Sequence, residues 1–290
     1  MRLKLGGAIF ACLALTACSA NNSPETWQNF TDKTVGADNL NQGESLVVFY
    51  RQPNTPGVAI DVYVNQDYQT SLLNGGFSAI KLCANQNFIS TSYTSDRDFG
   101  NRTRGIHFYS SSQQITYVKV TSNGNQQPVF TFVDNEQGKR DVEQLQYQSN
   151  VLSRVIEKPC SNQNYVTATY QVNFGFDQSS TKSLPANVQQ ALAQFVQQIN
   201  AEKVTSVKVN GYSDPVGNSN YNVKLSERRA NTVANLIQQS NPSIQTEVNG
   251  FGASNVLNNN CAKEYRGNRT LINQCNAENR RVEIAVFGQE

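Results

Sequence analysis

Val204-Thr205-Ser206-Val207-Lys208-Val209-Asn210-Gly211-Tyr212-Ser213-Asp214-Pro215-Val216-Gly217 decides the architecture of the second half of this chain. Val204 to Val209 alternates in the period of a strand, and Gly211 to Gly217 is a polar loop built of turn-forming residues. That loop opens onto a helix predicted over about Tyr221 to Gln239. Upstream, Val166, Ala168, Tyr170, Val172 and Phe174 alternate inward on a strand that ends at Phe174-Gly175-Phe176-Asp177. A helix is expected next, with Ser183 as N-cap, Pro185 in the first turn, and Leu184, Val188, Leu192, Phe195 and Ile199 as an apolar stripe. Ile244 to Phe251 reads as a third strand. A last strand over Arg281 to Phe287 follows a long loop, with Val282, Ile284 and Val286 alternating. The order is β-α-β-α-β plus that loop.

The first half has a different texture. Leu46 to Tyr50, Ile60 to Val64, Phe88 to Tyr93, Ile106 to Tyr109, Ile115 to Val120 and Val129 to Val133 are strand patterns, rich in β-branched and aromatic residues. Asn74-Gly75-Gly76 and Asn123-Gly124-Asn125 supply turns. Val142, Leu145, Leu152 and Val155 fit a helix over Asp141 to Val155. An antiparallel, sandwich-like β-domain is expected over 45–160, resembling in composition the compact sandwich modules of envelope lipoproteins. The fold class is therefore α+β, a β-rich domain followed by a βαβαβ domain over 161–290.

At the start, Arg2 and Lys4 precede an apolar run, Leu5 to Leu15, too short to span a bilayer. This is a secretion signal over 1–17. Leu15-Thr16-Ala17-Cys18 has the bacterial lipobox pattern, which makes Cys18 the expected lipidation site; Ser19 in place of Asp favours the outer membrane. Several acyl chains at about 0.8 kcal/mol per buried CH₂ would make such an anchor permanent. Residues 18–44, polar and aperiodic, are expected to be a tether with a short packed turn at Trp27 and Phe30 and, as a flexible coil, a root-mean-square span of roughly 25 to 30 Å. Loss of Arg2 and Lys4 with the signal takes the formal charge from +2 to 0. Neither a polybasic patch nor an acidic run is present, which argues against nucleic acid as a partner.

Six cysteines become four once Cys12 leaves with the signal and Cys18 carries lipid. An even remainder in an exported chain suggests disulfides. Three connectivities are open to four cysteines, and the domain division pairs Cys83 with Cys160 and Cys261 with Cys275. With one histidine and no CxxC spacing, a zinc site is disfavoured and no cofactor is expected. His107, between Ile106 and Phe108 on a strand, reads as solvent-facing or structurally bonded rather than catalytic.

Phe176-Asp177, Gly211-Tyr212-Ser213-Asp214-x-x-Gly217, Tyr221-Asn222-x-x-Leu225-Ser226-x-x-Arg229-Ala230, Gly250-Phe251-Gly252 and Asn279-Arg280-Arg281-Val282-Glu283 resemble, in order and spacing, the OmpA-like peptidoglycan-binding domain family. The resemblance covers about 165–288. Residues 44–160 do not resemble the membrane barrel that precedes this domain in outer-membrane porins. Ser213 stands where the family more often has Thr, keeping the hydroxyl. The loop 258–276 looks like the disulfide-closed loop of some porin-type members, which also implies the Cys261 to Cys275 pairing.

The resemblance implies a ligand, the diaminopimelate of uncrosslinked stem peptides, whose side-chain end carries an ammonium beside a carboxylate. Asp214 is then expected to receive the ammonium and Arg229 the carboxylate, the latter through its planar fork. Asn222, Ser226 and Arg229 lie on one helix face with Leu225 at its edge. The structural alternatives are an Asp214–Arg229 ion pair, Asn222 as a helix cap and Arg280 as the partner of a carboxylate. Phe176 and Asp177 are expected to offer backbone groups. The expected function is a non-enzymatic tether between outer membrane and wall. The second reading is a wall-anchored accessory of a secretion or adhesion machine whose domain 45–160 binds a protein partner. A wall hydrolase lacks both paired carboxylates at a recognisable spacing and histidine ligands for zinc.

Overall fold

The computed structural model describes residues 29–290 except 56, 97–101, 123–126, 161–163, 200–202 and 289–290. The signal over 1–17, Cys18, the first part of the expected tether and the Asn123-Gly124-Asn125 turn lie outside the described residues. No helix among those described is long and apolar enough to cross a membrane.

The first half consists of β1 (Phe30–Thr31), β2 (Glu44–Tyr50), β3 (Ile60–Val64), β4 (Asp67–Leu72), β5 (Gly76–Cys83), β6 (Gln86–Tyr93), β7 (Gly105–Tyr109), β8 (Ile115–Thr121), β9 (Val129–Val133), α1 (Asn135–Glu143) and β10 (Gln146–Gln148). Two sheets form, ordered β1-β10-β5-β2-β8-β9 and β4-β3-β6-β7. Val47, Phe49, Ile80 and Val118 from the first sheet meet Ile60, Val62, Ile89 and Ile106 from the second in a shared core. The opposite face of β2 is also covered: Leu46, Val48 and Tyr50 pack with Tyr117, Val142 and Leu145. A strand buried on both faces has to be apolar at consecutive positions, as Leu46 to Tyr50 is.

Three expectations for this half change. The second sheet is antiparallel, but in the first sheet β2 pairs with β8, and β10 with β5, in parallel. The chain between β2 and β8 passes through the whole second sheet, the long crossover that a parallel pairing requires. The helix is Asn135–Glu143, not Asp141 to Val155. Asp134 caps it by accepting from Gln137 N at 2.9 Å, and Leu152, counted in the apolar stripe, is exposed. Residues 30–44 are packed rather than a free tether. Phe30 and Thr31 pair with β10, Leu40 is buried, and Val35 and Ala37 lie against the same core.

The second half consists of β11 (Tyr165–Asn173), α2 (Ala186–Gln198), β12 (Val204–Gly211), α3 (Ser219–Ser240), β13 (Gln245–Gly250), α4 (Cys261–Glu264), α5 (Arg269–Cys275) and β14 (Arg281–Gly288). The sheet order is β11-β14-β12-β13, with β12 and β13 parallel and β14 antiparallel to both its neighbours. Val172, Val207, Val209, Val282, Ile284 and Val286 pack under Leu192, Val196, Val233 and Ile237 of the helices. Ser183 does not cap α2. It closes a short 3-10 turn by donating to Ser180 O, and the helix begins after Pro185.

Cys83 is bonded to Cys160 and Cys261 to Cys275, with Cα separations of 5.2 and 5.6 Å. The two halves touch through specific groups. Val166 donates to Ala84 O at 2.8 Å and accepts from Ser112 N at 2.7 Å. The Asn255 side chain exchanges two 2.9 Å bonds with the His107 backbone. Tyr109 meets Phe287 edge-on and accepts from Asn210 Nδ2 at 3.2 Å.

Candidate functional site

The loop after β12 and the first turns of α3 enclose a cavity of about 170 Å³. Its walls include Phe176, Asp177, Asp214, Asn222, Leu225 and Arg229. Gly211 lets the strand approach the helix there, because a Cβ at this position would lie 2.0 Å from Ser226 O. Asn218 caps α3, accepting from Asn220 N at 2.9 Å and Tyr221 N at 3.3 Å. That frees Asn222, the alternative cap, to hold the loop. Its Nδ2 donates to Asp214 O at 3.2 Å and Val216 O at 3.1 Å.

Arg229 is fully buried yet lines the cavity. Its Nε donates to Gln178 O at 2.7 Å, Nη1 to Tyr212 O at 3.0 Å and Nη2 to Gly175 O at 3.1 Å. Burial lowers its pKa to about 10; Asp214 works against that shift and Arg280 adds to it. It is a cation at neutral pH. A guanidinium has five N–H groups, so these three contacts fix its plane and leave two N–H groups for a ligand.

Asp214 does not form an ion pair with Arg229. Its Oδ2 accepts from Arg280 Nη1 at 3.2 Å, both side chains being buried, and its Oδ1 accepts from Val216 N at 3.2 Å. Arg280 is held in turn by Phe174 O at 3.2 Å and Asn273 O at 3.0 Å, and it is not a wall of the cavity. A carboxylate offers about four lone-pair sites, so Asp214 keeps acceptor capacity. Asp177, at a positive φ of 56°, is exposed and accepts from the Tyr221 hydroxyl. Ser226, on the same helix face, turns away to accept from Gly252 N at 2.8 Å, tying the end of β13 to α3.

Six of the seven residues singled out from the sequence thus share one cavity, and the seventh, Arg280, neutralises one of them. Residues 175–270 match the OmpA family. The match includes every wall of the cavity and ends at residue 270, inside the loop closed by Cys261 and Cys275 and before Arg280. Outer membrane protein A of Serratia marcescens is 41% identical over 128 residues, which is 42% of this chain and 34% of that protein. The same protein of Serratia odorifera is 40% identical over 114 residues, 38% of this chain and 46% of its own length. The chain therefore spans less than half the length of these relatives. Among solved structures, the cell wall anchor of the T6SS from Pseudomonas aeruginosa is 25% identical, covering 42% of this chain and 81% of its own, with a TM-score of 0.31. The peptidoglycan-associated lipoprotein from Burkholderia pseudomallei is 23% identical, covering 40% and 88%, with a TM-score of 0.30.

Sequence reasoning missed Tyr221 and Val216 as walls of the cavity. Tyr221 lies in one of the family-like blocks, where the sequence assigns it no role. Its signal was its place three residues after the capping Asn218, which puts it in the first turn of α3. His107 is exposed on β7 with its ring against Phe88. Among the described residues no group of three His, Cys, Asp or Glu side chains could hold a metal ion.

Proposed function

We propose that residues 161–290 bind peptidoglycan without cleaving it, taking the zwitterionic end of diaminopimelate into the cavity between Asp214 and Arg229. Supporting this, the two arginines, Arg229 and Arg280, are balanced by Asp214 and Asp177, so the site as a whole favours a ligand of no net charge that separates a cation from an anion. The ammonium is assigned to the remaining acceptor sites of Asp214. The carboxylate is assigned to the two unused N–H groups of Arg229, a charge-assisted contact. A volume of about 170 Å³ is below the usual range for whole small molecules, so it suits the end of one side chain. Phe176 and Asp177 form its lip, and Leu225 packs against the methylene chain of the ligand.

Acylation at Cys18 would hold the chain on the outer membrane, and residues 30–44 pack against the first half rather than serving as linker. With 45–160 as the membrane-proximal domain, the chain is a bridge from membrane to wall. The deciding observation is the pair of buried, opposite charges that keep unused hydrogen-bonding capacity toward one cavity. Co-sedimentation with purified sacculi tests it, with free diaminopimelate as competitor. Competition by diaminopimelate but not by lysine supports the assignment, since lysine lacks the side-chain carboxylate; equal competition overturns it.

A further inference from the structure

A groove follows the outer edge of β9 along the junction of the two halves. One part, of about 670 Å³, is walled by Thr131, Phe132 and Val133 of β9, by Thr169 to Gln171 of β11 and by Glu278 and Glu283. The next part, of about 470 Å³, is walled by Val129 and Thr131 and by Glu264, and shares Thr131, Ala277 and Glu278 with the first. β9 thus lies beside open space over its whole length. It is the last strand of its sheet and pairs only with β8 among the described residues.

Edge strands are usually protected by a charge, a proline or a covering element, because their free N–H and C=O groups template another strand. Val129-Phe130-Thr131-Phe132-Val133 has none of these within it and has high β-propensity. The facing edge, β11, is also uncharged through all nine residues. The rest of the groove is acidic. Asp134, Glu264, Glu278 and Glu283 line it, and no lysine or arginine does. Asp134 caps α1 and Glu283 accepts from Arg281 Nε at 2.7 Å. The Glu278 side chain makes no hydrogen bond or ion pair with the described residues. It is solvent-accessible but surrounded by protein, and that burial raises its pKa against the opposing pull of Arg281. Its carboxyl group lies in the concave wall, and no lysine or arginine stands among the walls of the groove.

We propose that this groove binds an extended, lysine- or arginine-bearing segment of a partner protein, which adds as a strand to the free edge of β9 and places a cationic side chain against Glu278. Main-chain bonds supply affinity in such strand addition, and side-chain pockets supply specificity. The site is separate from the cavity at Asp214, shares no lining residue with it, and does not depend on wall binding.

The probe is a fluorescent octapeptide alternating valine with threonine or lysine, titrated into the full chain and read by anisotropy. Three companions accompany it: the same peptide with glutamate for lysine, one with alternate backbone amides methylated along the pairing edge, and the diamine cadaverine as competitor. The lysine peptide is expected to bind, the glutamate form at least tenfold more weakly, and the methylated form not at all. Hydrogen exchange at Thr131, Phe132 and Val133 should slow in the complex. Glu278→Gln should weaken the lysine peptide about tenfold, the scale of a charge-assisted hydrogen bond, while leaving co-sedimentation with sacculi unchanged. Equal binding of the methylated peptide would make this a side-chain site, not a strand site. Full displacement by cadaverine at equal concentration would make it a small-amine pocket. Either result overturns the proposal, as does failure of the lysine peptide to bind up to millimolar concentration.

Discussion

Asp214→Asn separates the structural from the binding role of this carboxylate. The substitution keeps size and an acceptor for Val216 N but removes the charge that faces Arg280 at 3.2 Å, with the side chains 7% and 6% exposed. Removing one partner of a buried pair costs about 3 to 5 kcal/mol. The retained amide oxygen should hold the loss near the lower figure. Arg280 still has two carbonyl partners, Phe174 O and Asn273 O, which limits it further. Binding should suffer separately. A charge-assisted hydrogen bond contributes about 1.5 to 3 kcal/mol, so affinity for sacculi should drop roughly 10- to 150-fold. The discriminating variant combines Asp214→Asn with Arg280→Gln, which removes both charges. The melting temperature of the double variant should recover much of the loss, because no uncompensated cation remains, while binding stays low. Thermal melts by circular dichroism and co-sedimentation isotherms read the two quantities. If the double variant regains wild-type affinity together with its stability, Asp214 acts on binding only through the fold and its assignment to the ammonium is wrong.

Gly211→Ala should unfold or displace the first turns of α3, since its Cβ would fall 2.0 Å from Ser226 O; a loss of at least 1 to 3 kcal/mol is expected in denaturant titration. Wild-type stability would mean that strand and helix are not this close. Raising the pH through about 10 should release the chain from sacculi, because Arg229 is held near that pKa by burial and its cation is needed for the carboxylate. The same group does not destabilise the fold there. Its folded pKa lies below that of a free guanidinium, so the folded state gains relative stability from about pH 10 upward. Co-sedimentation at pH 7, 9 and 10.5, with circular dichroism to confirm folding, checks this, and undiminished binding at the highest pH contradicts it. Cys18→Ser should leave the chain unlipidated and free of the membrane fraction after alkaline washing, as mass spectrometry and fractionation would report. Retention of that variant would rule out the lipid anchor.

The second half was legible because its strands and helices have clean periods, and because the site residues recur on one helix face or in one turn. What periodicity could not supply was the partner of each charge. Asp214 and Arg229 are 15 positions apart, whereas Arg280, which takes the ion pair, arrives from the start of β14. Pairings of that range depend on sheet order, which a sequence pattern does not encode. In the first half, strands were legible one by one, but β1, β4, β5 and β10 were not. Asp67 to Leu72 is mostly polar, and β10 is only three residues long. The parallel pairing of β2 with β8 was invisible for the same reason as the ion pair. The cysteine pairs are those expected, Cys83 with Cys160 and Cys261 with Cys275, because each bond closes within one half of the sequence.

Arg51, Arg229 and Arg281 are the largest fully buried side chains among the described residues. Burying a guanidinium is costly unless its N–H groups are matched, so a buried arginine alone says little about function. The Nη groups of Arg51 donate to Val58 O, Leu72 O, Thr55 O and Gly57 O, closing the turn after β2. Arg281 lies over the Tyr212 ring at 4.1 Å and bonds Glu283 and Asn255 O, joining β14 to the loop beside it. Both are explained by what they hold together. Arg229 also donates to carbonyls, but it alone of the three faces a cavity whose wall includes a buried carboxylate with acceptor capacity left. A fold that needed only stability there could place an apolar side chain at 229. Keeping a cation whose pKa is pushed down to about 10, next to an acid already engaged by another arginine, makes physical sense when a third party completes the set of charges.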